Sequence, residues 1–431
     1  MRVLVIGSGG REHVIVWKLA QSARVQAIFC APGNAGIAQT ARCVPVQVDD
    51  FAAIADFVRR ERIDYVVVGP EAPLASGLVD HLKALKIAVV GPTRKAAQLE
   101  SSKVFAKDFM ARHKIPTARY ATYSDPKSAL AFLNSSEAAF PIVVKADGLA
   151  AGKGVVVARD LREASDSVQR MMVAREFGAS GDRVIIEECL DGIEASYIVF
   201  TDGETIIPAV AARDHKAVFD NDAGPNTGGM GAYSTDNILG PDLEQEVLKR
   251  VIQPVIKGMK GEGFPFQGIL YAGLMLTSRG IQVLEFNVRM GDPECQVILP
   301  RLKSDFSSLC EALCQERLKD YQAAWHNEAA VCVVLASGGY PGPYAKGKVI
   351  TGLEMAEEHK RVAVFHAGTR QQGNQFLTDG GRVLGVTARD QELSSAMMLA
   401  YEAVNKIHFE GMHYRRDIGA KGLADAARIS K

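Results

Sequence analysis

The sequence predicts a multidomain protein of the α/β and α+β classes. It should have an N-terminal doubly wound parallel sheet, a central domain with a β-hairpin lid, and a small β-rich C-terminal domain. The first observation is an alternation of short apolar runs with amphipathic segments up to about residue 100, which is typical of parallel strands and crossover helices. The second is a change at Ser101 to one helix followed by hairpins, and the third is a series of apolar strands and glycine turns that begins near Glu328.

The elements of the first region alternate between strand and helix. We predict strands in RVLVIG, AIFCAPG, DYVVVGP and IAVVGP, and helices in REHVIVWKLAQS, DFAAIADFVRRERI and LASGLVDHLKALK, joined by right-handed crossovers. A chain of 431 residues is too long for one ordinary core. We therefore place the domains at residues 1–102, 103–327 and 328–431, with the lid at about 121–192.

Composition and charge describe a folded protein without a polyanionic partner. Hydrophobic residues make up 47% of the chain and charged residues 23%. Lysine plus arginine and aspartate plus glutamate number 50 each, which speaks against nucleic acid or an anionic membrane as a partner. We read neither a signal peptide nor a membrane span, and no protein partner is evident, so we expect a cytoplasmic protein whose seven scattered cysteines are reduced and mostly buried.

The stretch GSGGREH, Gly7 to His13, follows a predicted strand and opens a helix, and a helix N-terminus favours phosphate. A dinucleotide fingerprint needs glycine at its sixth position, where this chain has Glu12. The second strand also ends without the acidic residue that binds ribose. We therefore expect a smaller phosphate-bearing ligand here, and a purely structural tight turn is the alternative.

The stretch PIVVKADGLAAGKGVVVA, Pro141 to Ala158, contains a second glycine loop. It is not a Walker loop, because three residues instead of four separate its first two glycines, and a glycine instead of a hydroxyl residue follows Lys153. The β-branched run after the loop predicts a hairpin whose backbone N–H groups cover a triphosphate. Strand alternation should leave Lys145 free to reach phosphate, and for Lys153 a solvated turn lysine is the alternative.

The stretch GIQVLEFNVRMGDPECQ, Gly280 to Gln296, begins as a strand. Alternation predicts Val283, Glu285 and Asn287 on one face, where a carboxylate and an amide oxygen about 7 Å apart suit magnesium. A carboxylate beside a triphosphate without a cation would be repelled by about 4 kcal/mol for each charge pair at about 4 Å. We therefore predict a metal site, and an exposed polar strand face is the alternative.

A further strand pair, RVIIEECLDGIEASYIV, runs from Arg183 to Val199. Its first strand ends in two glutamates, and a short connector leads to the second strand. Such a junction offers backbone groups to an adenine edge and Glu194 to ribose hydroxyls, with a plain hairpin as the alternative.

Together, six stretches resemble the glycinamide ribonucleotide synthetase family of the ATP-grasp superfamily. They are GSGGREH, APGNAG, VVGPEAPLASGLVD, VVKADGLAAGKGVVVA, DHKAVFDNDAGPNTGGMGAYS and VLEFNVRMGDPECQ, in the family's order between about residues 1 and 425. The resemblance implies a central ATP-grasp domain and a ligase of de novo purine biosynthesis. Such a ligase joins glycine to 5-phosphoribosylamine through glycyl phosphate and yields glycinamide ribonucleotide, ADP and phosphate. The implied cofactors are ATP and Mg²⁺ or Mn²⁺, and the implied partners are the two small-molecule substrates.

The resemblance also implies the nucleotide and metal residues. Lys145 and Lys153 would contact ATP phosphates and form the catalytic set with Arg289, while Lys103 approaches the nucleotide. The residues implied to frame adenine or hold ribose are Glu187, Glu188, Leu190 and Glu194. The implied metal ligands are Glu285 and Asn287.

For the two substrates, we expect Arg289 to pair with the glycine carboxylate through its fork geometry, with Asp214 near the amino group. Gly291 belongs to the same substrate set. The residues that we expect to serve the phosphoribosyl group are Gly9, Gly10, Arg11, Glu12 and Lys216. His13 and His215 are expected to be structural histidines, because a free amine needs little activation by a general base.

Three other functions are alternatives. A different carboxylate–amine ligase would share the fold and the ATP residues, so only the acceptor site separates it from this one. A nucleotide-sensing module would bind ATP without turnover, against which the intact lysines and metal ligands speak. An oxidoreductase would depend only on the first glycine loop.

Overall fold

The computed structural model describes residues 1–149 and 154–429. Its N-terminal elements are β1 (Arg2–Gly7), α1 (Gly10–Leu19), β2 (Ala27–Pro32), β3 (Arg42–Cys43), α2 (Phe51–Glu61), β4 (Tyr65–Val68), α3 (Glu71–Ser76), α4 (Leu78–Ala84) and β5 (Val89–Val90). The strands form one sheet in the order β3-β2-β1-β4-β5, and every neighbouring pair is parallel. The predicted doubly wound parallel sheet is confirmed.

The next elements include the predicted lid. They are α5 (Gln98–Ser101), α6 (Lys103–Arg112), β6 (Tyr120–Tyr123), α7 (Pro126–Leu133), β7 (Ile142–Ala146), β8 (Val155–Ala158), α8 (Leu161–Val168) and β9 (Val184–Glu188). The four strands make an antiparallel sheet in the order β6-β9-β7-β8. Apolar residues of α7, α8 and this sheet pack into a hydrophobic cluster of their own, around Leu133, Val144 and Ile186. The lid is thus a small layered unit, with the expected hairpin β7–β8 at one edge.

The second half of the central region is built around a larger antiparallel sheet. Its elements are β10 (Ile193–Thr201), β11 (Ile206–Pro208), β12 (Arg213–Asp214), β13 (Ala217–Phe219), β14 (Ala223–Asn226), β15 (Gly231–Ser234), α9 (Pro241–Val247), α10 (Gln253–Gly261), β16 (Gly268–Thr277), β17 (Gly280–Asn287), α11 (Cys295–Ile298) and α12 (Phe306–Cys314). The sheet has the order β11-β10-β16-β17. Strands β13 and β14 form a separate two-stranded hairpin.

A bulge in β17 corrects the predicted alternation. Gly273 pairs with Glu285 and Leu274 with Val283, so Leu284 is the extra residue. Val283 therefore packs in the same hydrophobic cluster as Phe286, and not on the face of Glu285. Strict alternation was wrong here because a bulge shifts every later side chain to the opposite face.

The C-terminal elements are β18 (Ala329–Ala336), β19 (Val349–Ile350), α13 (Leu353–Ala356), β20 (Val362–His366), β21 (Thr369–Gln372), β22 (Gln375–Thr378), β23 (Arg382–Asp390), α14 (Leu393–Val404) and α15 (Ala420–Ile429). The main sheet has the order β12-β15-β18-β23-β20, and a small sheet has the order β19-β22-β21. Two strands that precede the predicted boundary, β12 and β15, thus extend the C-terminal sheet. The domain boundaries themselves stay predictions.

Short helical segments connect these elements. The 3₁₀ segments are Ile37–Gln39, Gly178–Gly181, Asp220–Asp222, Leu299–Arg301 and Leu318–Asp320. The π-helical segments, Gln169–Val173 and Leu248–Ile252, continue α8 and join α9 to α10. Throughout the described ranges, every helix falls short of the length and apolarity that crossing a bilayer requires.

Two hydrophobic clusters fix the N-terminal sheet against the rest of the protein. Leu4 and Ile6 of β1 belong to a cluster that extends to Phe286 of β17. Val3 and Val5, on the other face, belong to a cluster that includes the C-terminal Phe365. These shared cores hold the carboxyl ends of the parallel strands beside the central sheet.

Candidate active site

One large cavity of about 440 Å³ lies where the N-terminal sheet, the lid, the central sheet and the C-terminal domain meet. Its polar lining residues are Arg11, Glu71, Glu100, Lys103, Lys107, Lys145, Asp214, Lys216, Thr227, Tyr271, Glu285, Asn287, Arg289, Asp292, Glu294, Tyr340 and Arg382. Parts of the chain that are distant in sequence thus bring cations and carboxylates together. The lining includes residues that the sequence predicts to bind the nucleotide, such as Lys145, the metal, such as Glu285, and a substrate, such as Arg289.

Lys145 is buried on β7, and its ammonium is paired with Glu187. Glu187 also binds Lys107, with 2.5 Å between Oε2 and Nζ. Burial would raise the pKa of Glu187, but Lys145 and Lys107 hold it below its ordinary value. The sequence did not show this partner, because it comes from β9, the strand that pairs with β7. Lys145 nevertheless lines the cavity, and its contact with phosphate stays a prediction.

Lys103 also lines the cavity, and its Nζ donates a hydrogen bond of 2.8 Å to the Gly148 carbonyl. Burial lowers the pKa of Lys103, and nearby Glu285 partly offsets this effect. Lys153, the other predicted phosphate ligand, lies outside the described residues.

Four predicted nucleotide residues are absent from the described part of the cavity wall: Glu187, Glu188, Leu190 and Glu194. Glu188 instead pairs with Arg279 at 2.9 Å and Arg119 at 3.2 Å. Glu194 accepts a hydrogen bond of 2.7 Å from Lys216. Their assignment to adenine and ribose stays a prediction.

Glu285 and Asn287 both reach the cavity from β17 after the bulge. Burial would raise the pKa of Glu285, but Lys216 and Lys145 hold it below its ordinary value, so the carboxylate is ionised. Among the described residues there is no cluster of three or more His, Cys, Asp or Glu side chains that could hold a metal ion. A carboxylate with one amide oxygen fits a hard cation that takes its other ligands from water and phosphate.

Arg289 is held by two carboxylates that the sequence reasoning missed. Its guanidinium lies 2.6 Å from Glu100 and 3.4 Å from Glu71, and it donates a 3.1 Å hydrogen bond to Asn287. Glu71 also lies 4.0 Å from Arg11, so it links two arginines. A signal for Glu71 existed, since it follows β4 at the carboxyl edge of a parallel sheet, where ligands bind. Glu100 follows no recognisable pattern.

The first glycine turn is closed by a buried carboxylate. Glu12 accepts hydrogen bonds of 2.6 Å from the Gly9 N–H and from Arg11 Nε. A Cβ atom on Gly69 would lie 2.1 Å from Glu12 Oε1, so the turn needs glycine there. Glu12 thus lies beneath the turn as a cap, while Arg11 reaches the cavity.

Replacing Gly69 by alanine is expected to lower the melting temperature, because the new Cβ would displace Glu12 from the turn. Overpacking of this kind costs about 1–3 kcal/mol of unfolding free energy. Thermal unfolding followed by circular dichroism checks this prediction. Gly261→Ala is the matched control, since its Cβ would meet nothing within 4 Å. Equal melting temperatures for the two variants would contradict this account.

Tyr271 and Glu294 belong to a second buried network in the cavity wall. Tyr271 donates a hydrogen bond of 2.5 Å to Glu294, which also accepts one of 3.2 Å from Ser196. A Cβ on Gly291 would lie 2.3 Å from Glu294 Oε2, so glycine permits this close approach. Tyr271 was not found from the sequence, because an isolated tyrosine in an apolar strand carries no chemical signal.

Asp214 lies in the same wall, 3.6 Å from the Lys216 ammonium. Burial raises its pKa to about 7, although Lys216 acts in the opposite direction. Asp214, the predicted amino-group ligand, thus lies next to Lys216, a predicted phosphoribosyl ligand two positions along the chain.

We expect the unfolding free energy to depend on pH through Asp214. The folded carboxyl, with a pKa of about 7, binds a proton over a range in which the unfolded carboxyl, with an ordinary value of 3.8, has lost it. The contribution of this carboxyl to the unfolding free energy is fully present below about pH 3.8 and is lost as the pH rises through 7. Melting curves from pH 5 to 8 should therefore show Asp214→Asn gaining stability relative to the parent protein as the pH rises. A difference that does not change with pH would refute this.

The two histidines lie outside the described cavity lining. His13 Nδ1 accepts a 2.7 Å hydrogen bond from the His366 backbone N–H. Burial, as the largest cause, lowers the pKa of His13 to about 3 and that of His215 to about 4, so both are neutral. The surroundings of His13 are those of a structural histidine, whereas the two ring nitrogens of His215 are buried without a hydrogen-bond partner in the described part of the chain.

Comparison with known proteins gives one consistent family. Three phosphoribosylglycinamide synthetase domain profiles match in order: the N domain at residues 1–100, the ATP-grasp (A) domain at 101–295, and the C domain at 330–421. A Vibrio cholerae protein named phosphoribosylamine–glycine ligase is 50% identical over 427 residues, which are 98% of this chain and 99% of that protein.

Two solved structures show the same fold. The phosphoribosylamine–glycine ligase of Thermotoga maritima has a TM-score of 0.84 and 32% identity, and the match covers 97% of this chain and 100% of that one. The biotin carboxylase domain of Hydrogenobacter thermophilus 2-oxoglutarate carboxylase, crystallised with MgADP, has a TM-score of 0.72 and 15% identity over 96% and 91% of the two chains. The predicted fold class is confirmed, and the chain belongs to the phosphoribosylglycinamide synthetase family of ATP-grasp proteins.

Proposed function

We propose that this protein is an ATP-dependent ligase that joins glycine to 5-phosphoribosylamine. The products are glycinamide ribonucleotide, ADP and phosphate, and the reaction belongs to de novo purine biosynthesis. The observation that carries the proposal is similarity along almost the whole chain to relatives named phosphoribosylamine–glycine ligase. The ligase class that the sequence predicts is confirmed by the same relatives.

The reaction needs two steps in one cavity. The glycine carboxylate attacks the γ-phosphate of ATP and forms glycyl phosphate with release of ADP. The amine of phosphoribosylamine then attacks the carbonyl carbon, phosphate leaves, and the amine nitrogen loses a proton. Protein groups contribute mainly position and charge neutralisation, because the phosphoryl group passes between substrates without covalent help.

Lys145, Lys103 and the described end of the glycine loop would bind ATP phosphates, with Lys153 as a further predicted ligand. Glu187 fixes Lys145 in the cavity wall, so its ammonium is positioned before ATP enters. A divalent cation, Mg²⁺ or Mn²⁺, held by Glu285 and Asn287 would neutralise phosphate charge. Glu285 is ionised, and the described residues contain no group of three or more His, Cys, Asp or Glu side chains arranged to hold a metal, which suits a cation shared with the nucleotide.

Arg289 would orient the glycine carboxylate, because Glu100 and Glu71 hold its guanidinium fork toward the cavity. Asp214 lines the same cavity and would receive the glycine amino group. Arg11 and Lys216 supply positive charge for the phosphoribosyl group. An acyl phosphate hydrolyses in water, so closure of the lid over the cavity would protect the intermediate.

A cytoplasmic location is part of the proposal. All seven cysteines are free thiols, four of them buried, as is usual for proteins of a reducing compartment.

The test is ADP release from the purified protein with ATP and Mg²⁺, with glycine and freshly generated phosphoribosylamine added separately and together. Release that requires both substrates supports the proposed ligase. Release with another carboxylate or amine would indicate a different ligase on this scaffold. ATP binding without release under any condition would indicate a nucleotide sensor.

A further inference from the structure

A hairpin of the central region forms part of the cavity wall and is bound by side chains and backbone groups of the C-terminal domain. This 216–228 hairpin consists of Lys216 to Gly228 and contains β13 and β14. Its two ends, Lys216 and Thr227, line the cavity and are joined by a 2.8 Å hydrogen bond from the Thr227 N–H to the Lys216 carbonyl. Its tip points away from the cavity, toward the turn between α14 and α15.

Arg415, in that turn, is completely buried and has no contact with the cavity among the described residues. Its guanidinium donates to the Ala217 carbonyl at 3.1 Å and to Asp222 at 3.0 Å. It also makes a two-point contact with Asp417, at 2.8 and 2.7 Å. Burying a guanidinium costs desolvation free energy, which is offset only when its N–H groups meet well-placed acceptors. The two-point contact with Asp417 and the bonds to the hairpin therefore define the position of Arg415 closely.

Further hydrogen bonds follow the hairpin along its length. His413 contacts the Val218 carbonyl at 2.8 Å, and the Arg416 N–H donates to Asp220 at 2.7 Å. The Asn221 N–H donates to Asp417 at 2.9 Å. The hairpin is therefore fastened at its cavity end and at its tip by the same short stretch of the C-terminal domain.

The last residue of the hairpin, Gly228 at the cavity, is held by the C-terminal domain as well. The Gly228 N–H donates to the Tyr340 hydroxyl at 3.1 Å, and Arg382 donates to the Gly228 carbonyl at 2.8 Å. Arg382 also donates to the Asp292 carbonyl at 2.7 Å, which ties the hairpin to the RMGDPE stretch. Both strands of the hairpin are thus anchored to the C-terminal domain.

We infer that Arg415 is a positioning residue for Lys216, and that through it the C-terminal domain sets the substrate geometry of the cavity. The Lys216 ammonium lies 2.7 Å from Glu194 and 3.6 Å from Asp214, and its reach depends on where the backbone at Ala217 lies. Arg415 fixes that backbone through the Ala217 carbonyl. The inference is built on the proposed function, since it assigns Lys216 to phosphoribosylamine.

The experiment compares Arg415→Met and Asp222→Ala with the parent enzyme, and uses Arg416→Met as the matched control because Arg416 is the exposed neighbour of Arg415. The parent enzyme is first shown to release ADP only with both substrates, so that a failure of the proposed function is recognised separately. KM for each substrate, kcat, the Kd of ATP and amide hydrogen exchange are then measured on the full chain. Asp222→Ala tests the inference even if Arg415→Met does not fold, since the Asp222 side chain is 43% exposed.

The expected result for Arg415→Met is a KM for phosphoribosylamine raised about tenfold, with an unchanged Kd for ATP. Asp222→Ala should show the same pattern with a smaller rise, and both should exchange amide hydrogens faster in residues 217–227. Arg416→Met should match the parent. The inference is overturned if the phosphoribosylamine KM stays at the parent value in folded variants, or if all kinetic constants and ATP binding decline together, as a general loss of structure would cause.

Discussion

Replacing Glu285 by glutamine is expected to lower kcat by about 10²- to 10³-fold while the protein stays folded. Glutamine keeps the shape of the side chain and removes the charge that Lys216 and Lys145 keep ionised. A neutral oxygen would hold a divalent cation weakly, so phosphate charge would be poorly neutralised in the transition state. ADP release at saturating substrates, titrated with Mg²⁺ and separately with Mn²⁺, measures the effect and compares the two metals.

The control for this change is Gln282→Ala, on the same strand but outside the described cavity lining. It should leave kcat and the metal dependence close to those of the parent enzyme. The metal assignment would be wrong if Glu285→Gln kept a parent-like kcat at low metal concentration. A reduced kcat restored by high metal would show that Glu285 acts through metal affinity.

Replacing Arg289 by lysine is expected to reduce kcat/KM for glycine by about 10²-fold, with little change in the KM for ATP. An ammonium keeps the charge but cannot contact Glu100, Glu71 and a substrate carboxylate with the planar fork that arginine provides. Initial rates with varied glycine, at fixed ATP and phosphoribosylamine, give the two constants.

Arg250→Lys serves as the control, since Arg250 pairs with Glu246 on the surface of the α9–α10 region. Its kinetic constants should equal those of the parent. An Arg289→Lys enzyme with an unaltered KM for glycine and unaltered kcat would remove Arg289 from the glycine site. It would leave the arginine as a structural link between Glu100 and the central sheet.

Local patterns in the sequence predict much of the fold. The alternation of apolar runs and amphipathic helices in the first hundred or so residues predicts four of the five strands of the parallel sheet, because each run must be buried on both faces, whereas the two-residue edge strand β3 is too short to leave such a run. The bulge at Leu284 is different, since it depends on how β17 pairs with β16 and no local residue requires it. The two strands form one hairpin, but the periodicity of either strand alone does not contain their register, which decides which side chains share a face with Glu285.

Individual site residues could be predicted from the sequence only where they lie in a stretch with a recognisable chemical pattern. Lys145, Glu285 and Arg289 are in such stretches and line the cavity. Their partners could not be found in this way: Arg289 meets Glu100 across 189 residues of sequence. Partners of this kind are defined by the packing of domains, which the periodicity of a single element does not contain.

The C-terminal sheet illustrates a limit of contiguous domain boundaries. Its strands β12 and β15 come from the central region, and Gly231 to Ser234 pair with Val333 to Ala330 across the boundary predicted at residue 328. Exchange of C-terminal domains between homologous enzymes at this boundary would combine strand edges of different origin. A chimaera that transfers residues 213–234 together with the C-terminal domain keeps both sides of the ladder and the hairpin anchors from one parent. The unit suited to recombination in this protein is therefore discontinuous in sequence.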